Sequence, residues 1–253
     1  MIRISDLTLT REGARILDGI DTAIPAGGLT AMIGPNGAGK STLLHCLAGL
    51  VAPDAGRALV DDLDMARARP QEKARKVALL TQSTPALPRL SVRDLVAFGR
   101  WPHHHGRPTA EDHRITDEAL SAFDLTGLTG RRIDSLSGGQ RQRAFVAMAH
   151  AQSTPWMLLD EPLAALDPRY ARDIMERLHA LSRPGAGGRS VVIVLHDLAM
   201  AARYADWVVC LKDGRLTRSA PRAEAMTTES LSALYDTGLV VAELEGRPVV
   251  VPG

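Results

Sequence analysis

The segment Gly34-Pro35-Asn36-Gly37-Ala38-Gly39-Lys40-Ser41 constrains this chain more than any other. It fits G-x-x-x-x-G-K-[ST] at every fixed position, a pattern that works only between a strand and a helix. Residues 29–33 are an almost wholly apolar run of strand length, and residues 41–48 read as a helix. Glycine keeps side chains out of the loop, so backbone N–H groups can close on a polyphosphate. Lys40 can reach β- and γ-phosphates, the Ser41 hydroxyl can ligate Mg2+, and Thr42 follows in the same helical turn. An α/β nucleotide-binding core is therefore expected around residue 34.

Size and composition bound the rest. Of 253 residues, 45% are hydrophobic, enough for one large domain or a core plus a subdomain. A net charge of +1 offers nucleic acid and anionic membranes little attraction, so no nucleic-acid partner is expected. No run approaches the roughly 18 apolar residues of a spanning helix. Residues 1–5 lead into strand-like sequence with no secretory h-region. The expectation is a soluble, cytoplasmic protein whose membrane role, if any, passes through a partner chain. Cys46 and Cys210 lie far apart in apolar segments without metal-ligand spacing, and read as buried reduced thiols.

Patterning divides the chain. Residues 2–33 read as short strands: Ile2–Ser5 and Asp6–Thr10 alternate as in a half-buried antiparallel sheet, with turns at Glu12-Gly13 and residues 25–28. A further strand is expected over Arg57–Val60, a short basic helix after Pro70, and a strand over Lys76–Thr81 ending at Gln82. Residues 83–152 are helical in pattern. Ser91–Asp94 fits a capping box, a helix over Ala110–Phe123 places Ile115, Ala119 and Phe123 on one face, and another helix runs from Ser137 to about Gln152. His103, His104 and His105 are expected in a solvated loop rather than at a metal.

Two apolar runs then end in polar residues, Trp156–Asp160 and Ser190–Leu195, as parallel strands do when they are buried on both faces and their C-terminal ends meet a site. Asp160 and Glu161 are read as neighbours on a strand, pointing to opposite faces and so taking different roles. Asp167-Pro168 is an N-cap with proline at the first helical position, opening a helix to about Ser182. The tail reads as a hairpin about Glu245-Gly246. The expected domains are a core with a β-subdomain (1–82 and 153–225), a helical subdomain (83–152) and a C-terminal helix and hairpin (226–253), together one nucleotide-binding domain over 1–253.

Leu136-Ser137-Gly138-Gly139-Gln140 supplies the second motif. Ser137 can cap a helix with Gln140 completing the capping box, and the two glycines allow close approach of a ligand to a helix N-terminus, which suits phosphate. Together with residues 34–41 and Leu158-Leu159-Asp160-Glu161-Pro162, this resembles the ATP-binding subunit of ABC transporters. Residues 74–82, 91–102, 140–148, 151–155 and 195–204 look like the ATPases of ferric-siderophore importers; haem and cobalamin importers share much of that pattern.

The resemblance implies the following roles. Gly34, Pro35, Asn36, Gly37, Ala38, Gly39, Lys40, Ser41 and Thr42 hold ATP, and Ser41, Gln82 and Asp160 hold Mg2+. Glu161 polarises the attacking water, and His196 senses the γ-phosphate. Ser137, Gly138, Gly139, Gln140 and Asp167 complete the site of a second copy in a head-to-tail homodimer, with Ala165-Leu166-Asp167 as the D-loop. The implied partners are permease subunits, whose cytoplasmic helix docks beside Gln82 on residues 83–101, and indirectly a substrate-binding protein. The implied location is peripheral, on the cytoplasmic face of the inner membrane. Two positions depart from the family pattern. Arg11 stands where an aromatic side chain usually stacks on adenine, and Leu163 stands where threonine is usual.

Overall fold

The structure, a computed structural model, describes residues 1–82, 89–164, 166–185 and 188–253, with the backbone alone at Arg247. The helix face proposed to meet a permease is therefore described only from residue 89 onward, and Ala165 of the expected D-loop lies outside the described residues.

Strand β1 (Ile2–Arg11) pairs antiparallel with β2 (Ala14–Ile24) around the Glu12-Gly13 turn. The two alternating segments read at the N-terminus are one strand. Asp6 sits at φ 45°, the register with β2 shifts between Ile4 and Leu7, and the Asp6 amide donates to Asp21 Oδ2 at 3.0 Å. The bulge resets the alternation, so Ile2 and Ile4 before it and Leu7 and Leu9 after it all face inward. After β3 (Leu29–Ile33) and helix α1 (Lys40–Leu47), β4 (Ala55–Val60) and β5 (Leu63–Asp64) complete a four-stranded sheet of order β2-β1-β4-β5.

Helix α2 (Pro70–Lys76) leads into β6 (Val77–Leu80), which ends two residues before Gln82. Between β6 and its parallel neighbour β7 (Trp156–Asp160) the chain forms α3 (Val92–Phe98), α4 (Trp101–His104), α5 (Ala110–Ala122) and α6 (Gly138–Ala151). Ser91, Thr109 and Ser137 cap α3, α5 and α6, each with a reciprocal capping box. The triple histidine is not in a loop: His103 and His104 lie within α4, where the His103 ring meets Gln152 O at 2.8 Å and His104 Nδ1 accepts from the Gly106 amide. On α5 the buried stripe is Asp112, Thr116, Ala119 and Leu120, leading to Phe123, with Ile115 half-buried at its margin. The stripe is rotated because Asp112 turns inward to meet Arg100.

Helix α7 (Pro168–Leu181) starts at Asp167, whose Oδ1 accepts from the Tyr170 amide. Next come β8 (Ser190–Val194), α8 (Leu198–Tyr204), β9 (Trp207–Lys212), β10 (Arg215–Pro221), α9 (Arg222–Ala225), α10 (Thr228–Tyr235) and a hairpin of β11 (Leu239–Leu244) and β12 (Arg247–Pro252). The six-stranded sheet has the order β10-β9-β3-β8-β7-β6, parallel except for β10. Every residue of β3, β7 and β8 is buried, because both sheet faces are covered. Alternate side chains feed two cores: Met32, Leu158, Val192 and Val194 pack with β1, β2 and α1, and Ala31, Ile33, Met157 and Ile193 with the helices. The fold is thus α/β, a mainly parallel core with an antiparallel N-terminal sheet and helices between β6 and β7.

Candidate active site

The C-terminal ends of β3, β7 and β8 open onto one cavity of about 470 Å3, lined by Ile16, Asn36, Gly37, Ala38, Gly39, Lys40, Ser41, Thr42, Gln82, Glu161 and His196. Its floor is the turn from β3 into α1. Gly34 leaves the strand at φ 149°, and a Cβ there would stand 1.9 Å from Leu211 O, so no other residue fits. Gly39 caps α1 at φ 93°, and a Cβ would meet Leu17 Cδ2 at 2.8 Å and Ile16 O at 2.9 Å. Glycine has no side chain to cap with, and α1 has no acidic residue in its first turn. Its leading N–H groups and positive dipole end are therefore left for an anion. A Cβ on Gly37 would find open space, as a loop that wraps a polyphosphate requires.

Lys40 is buried, and its Nζ donates to Gly34 O and Pro35 O, both at 2.8 Å. Burial pushes its ammonium below the usual lysine range, while the charges of Glu161 and Asp160 oppose that shift. The ammonium is thus held at the loop by neutral acceptors, which are weaker partners for it than a charged oxygen would be.

Asp160, at the end of β7, is 1% exposed and accepts from Ser41 Oγ at 2.8 Å; His45 Nε2 stands 3.6 Å from its other oxygen. Burial raises the Asp160 carboxyl, with the Ser41 hydroxyl and His45 acting against it. The adjacent hydroxyl and carboxylate fit a hard divalent cation, which prefers oxygen ligands of this kind.

Glu161 is not on the strand. β7 stops at Asp160, and Glu161 adopts φ 48°, a left-handed turn that swings its carboxylate over the cavity. The different fates of the two acids thus come from the turn, not from strand alternation. One Glu161 oxygen accepts from Gln82 Nε2 at 2.8 Å and the other faces His196 Nε2 at 2.6 Å. Gln82 and His196 each lie just beyond the end of a parallel strand, β6 and β8, which is how residues so far apart in sequence meet.

Ser137, Gly138, Gly139, Gln140 and Asp167 are not among the residues lining this cavity. Ser137 accepts from the Gln140 amide and Gln140 Oε1 accepts from the Ser137 amide. The two glycines separate in role. A Cβ on Gly138 meets nothing, whereas one on Gly139 would strike the Tyr170 ring at 2.9 Å, so packing against Tyr170 requires glycine at 139. The Arg143 guanidinium lies over the same Tyr170 ring, 5.4 Å from its centroid.

Arg11 is exposed at the end of β1 and does not line the cavity; Ile16 of β2 does. Ile16 had no signal in the sequence beyond its place in an alternating strand. Leu163 packs against the larger core, which accounts for an apolar residue there. Cys46 and Cys210 are free and buried, and burial pushes their thiols up to about 11 and about 12.

Fold and cavity together define a P-loop nucleotide-binding α/β cassette. Residues 17–164 match the family model described as ABC transporter. The chain is 37% identical to the petrobactin import ATP-binding protein YclP of Bacillus subtilis (strain 168), over 99% of both chains. It is 37% identical to the ferric enterobactin transport ATP-binding protein FepC of Escherichia coli (strain K12), covering 99% of this chain and 93% of that one. It is 40% identical to the hemin import ATP-binding protein HmuV of Thermobifida fusca (strain YX), covering 95% and 84%. Among solved structures, an inward-facing ABC transporter aligns with TM-score 0.85 and 26% identity over 100% of this chain and 97% of that one. A dimeric ATP-binding cassette in a post-hydrolysis state, bound to ADP and Pi, aligns with TM-score 0.79 and 26% identity over 88% of this chain and 99% of that one. The chain belongs to the ABC transporter family and is an ATP-binding cassette.

Proposed function

We propose that this chain is the ATP-hydrolysing subunit of a bacterial importer of iron chelates, ferric siderophores first, with haem or cobalamin as the alternative cargo. The observation that carries the hydrolytic reading is the convergence of the 34–41 loop, the Ser41–Asp160 pair and the Gln82–Glu161–His196 cluster on one cavity. Petrobactin, enterobactin and hemin in the names of relatives similar over nearly their whole length support the cargo class.

In this reading the loop amides and Lys40 hold the β- and γ-phosphates. Ser41, Asp160 and Gln82 hold Mg2+, which when bound neutralises phosphate charge. Glu161 orients and polarises water. Before nucleotide arrives its carboxylate is engaged by Gln82 and His196, so water activation waits until those partners turn to metal and γ-phosphate. Ile16 supplies an apolar wall to the cavity, which Arg11, at the position where the family usually has an aromatic, does not line.

Residues 137–140 and 167 lie off this cavity, which supports their serving the site of a second copy in a homodimer. Among the described residues no helix is long and apolar enough to cross a membrane. Attachment through permease subunits at the cytoplasmic face of the inner membrane, served by a substrate-binding protein, fits that. Phe98 and Trp101 are 57% and 50% exposed and stacked with centroids 6.0 Å apart, an apolar surface suited to a permease helix. We assign 1–82 and 153–225 to the core with its β-subdomain, 83–152 to the helical subdomain and 226–253 to the C-terminal helix and hairpin.

The test is phosphate release by the chain reconstituted with its permease, alongside uptake of labelled ferric siderophore, haem and cobalamin in a deletion strain. Loss of siderophore uptake is expected. Undiminished uptake of all three overturns the cargo assignment, and absent phosphate release overturns the ATPase role.

A further inference from the structure

The phosphate loop is held at its first residue by a side chain from the far C-terminal part of the chain. The Gly34 amide donates to Tyr235 Oη at 3.1 Å, across 201 positions of sequence. Tyr235 is the last residue of α10, and that helix is anchored at several points. Thr227 caps its start, and Leu231 and Leu234 are buried in the larger core. Lys212, at the end of β9, donates to Ala233 O at 2.9 Å and to Asp236 Oδ1 at 2.6 Å. The same end of β9 carries Leu211 O, the atom against which Gly34 is pressed. The end of β9, the end of α10 and the first loop residue thus form one closed unit. Burial pushes the Tyr235 phenol up to about 12, so it remains a neutral hydroxyl.

On the carbonyl side of this part of the loop, Lys40 donates to Gly34 O and Pro35 O, and the Ala38 amide also donates to Pro35 O at 3.2 Å. The Lys40 ammonium has three N–H donors and can turn them from these carbonyls to phosphate, whereas the Tyr235 bond lies outside the cavity and is not drawn on. Resting on the nucleotide-binding reading above, we propose that Tyr235 is a positioning residue for ATP binding: its hydroxyl fixes the Gly34 peptide while Lys40 exchanges loop carbonyls for phosphate oxygens.

Tyr235→Phe keeps the ring and removes only the acceptor, leaving a buried N–H without its partner. Three measurements test the role on the full chain: Mg-ATP affinity by calorimetry, steady-state kinetics, and hydrogen exchange of the Gly34 amide by NMR in the nucleotide-free protein. The Phe variant is expected to bind ATP about fivefold more weakly, roughly 1 kcal/mol. The loss should fall on KM, with kcat changed by less than about twofold. Gly34 should exchange at least about tenfold faster while amides of β3 and β8 keep their rates. Tyr235→Leu, which also removes the ring, separates packing from hydrogen bonding. If Phe matches the unsubstituted protein in affinity and Gly34 exchange, and only Leu is impaired, the positioning role is overturned. Failure of the unsubstituted protein to bind ATP overturns the proposed function and this role with it; ATP binding that Phe leaves unchanged overturns this role alone.

Discussion

Lys40 shows how much one side chain can be asked to do. Among the described residues lining the cavity it is the one lysine or arginine, and in the free protein it is satisfied by neutral carbonyls. Lys40→Ala should therefore weaken ATP binding about a hundredfold, the equivalent of roughly 3 kcal/mol of charge-assisted hydrogen bonding, as read by calorimetry. Affinity equal to the unsubstituted protein would contradict the phosphate-loop argument. Glu161→Gln should preserve ATP affinity within about threefold while lowering phosphate release by about two to three orders of magnitude, since a general base is worth that much. Unchanged turnover removes Glu161 from its role. At this scale the spacing of the 34–41 motif pointed to Lys40 and Ser41 and the end of an apolar run marked Asp160, whereas the roles of Gln82, Glu161 and His196 came with the resemblance to a family. Nothing in the sequence named Ile16, His45 or Tyr235, whose contacts arise only when distant segments pack.

At the scale of elements, α5 and α6 show how caps and burial interact. The Asp112 carboxylate accepts from the Thr109 amide at 2.9 Å and hydroxyl at 2.7 Å and from Arg100 Nε at 3.0 Å. Burial raises this carboxyl, but the Thr109 and Arg100 bonds outweigh it and bring it to about 2, against an ordinary 3.8. A depressed folded-state value stabilises the fold above pH about 4 and is lost as pH falls toward 2. Asp112→Ala leaves Arg100 buried without its carboxylate and should cost about 3 kcal/mol in urea denaturation at pH 7. The deficit should shrink as pH approaches 2; a pH-independent deficit would assign it to packing alone. The two glycines of α6 separate in the same way. Gly138→Ala should leave stability equal or raise it by up to about 1 kcal/mol, alanine being the better helix former, yet lower hydrolysis if a ligand approaches there. Gly139→Ala forces the Tyr170 ring aside and should cost about 1–3 kcal/mol. Equal thermal midpoints for both variants would refute the distinction. The capping boxes of α3 and α6 were legible because they depend on residues three apart. The buried stripe of α5 was misread by a fraction of a turn, since an inward aspartate has no place in a hydrophobic pattern.

For the whole molecule, the separation of residues 137–140 from the cavity carries the expectation of pairing. With Mg-ATP, the Glu161→Gln variant should elute as a dimer by light scattering and return to monomer without nucleotide; a monomer under both conditions would rule out the sandwich. Ser137→Arg gives up a side-chain cap worth about 1 kcal/mol, keeps the monomer folded by circular dichroism, and should abolish hydrolysis through the facing copy. Full activity would count against a shared site. What the sequence determined by itself was local: the strand–loop–helix around residue 34, the caps of α3, α6 and α7, the hairpin at the tail, and the polar residues that end apolar runs. Those follow from periodicity and from hydrogen bonds between near neighbours. Tertiary structure alone decided that β1 runs unbroken through a bulge, that Glu161 leaves its strand through a left-handed turn, that Gly139 answers to Tyr170, and that α10 reaches back to Gly34. Each depends on which distant segment fills the space beside it, and packing between residues far apart in the chain leaves no mark in the spacing of either one.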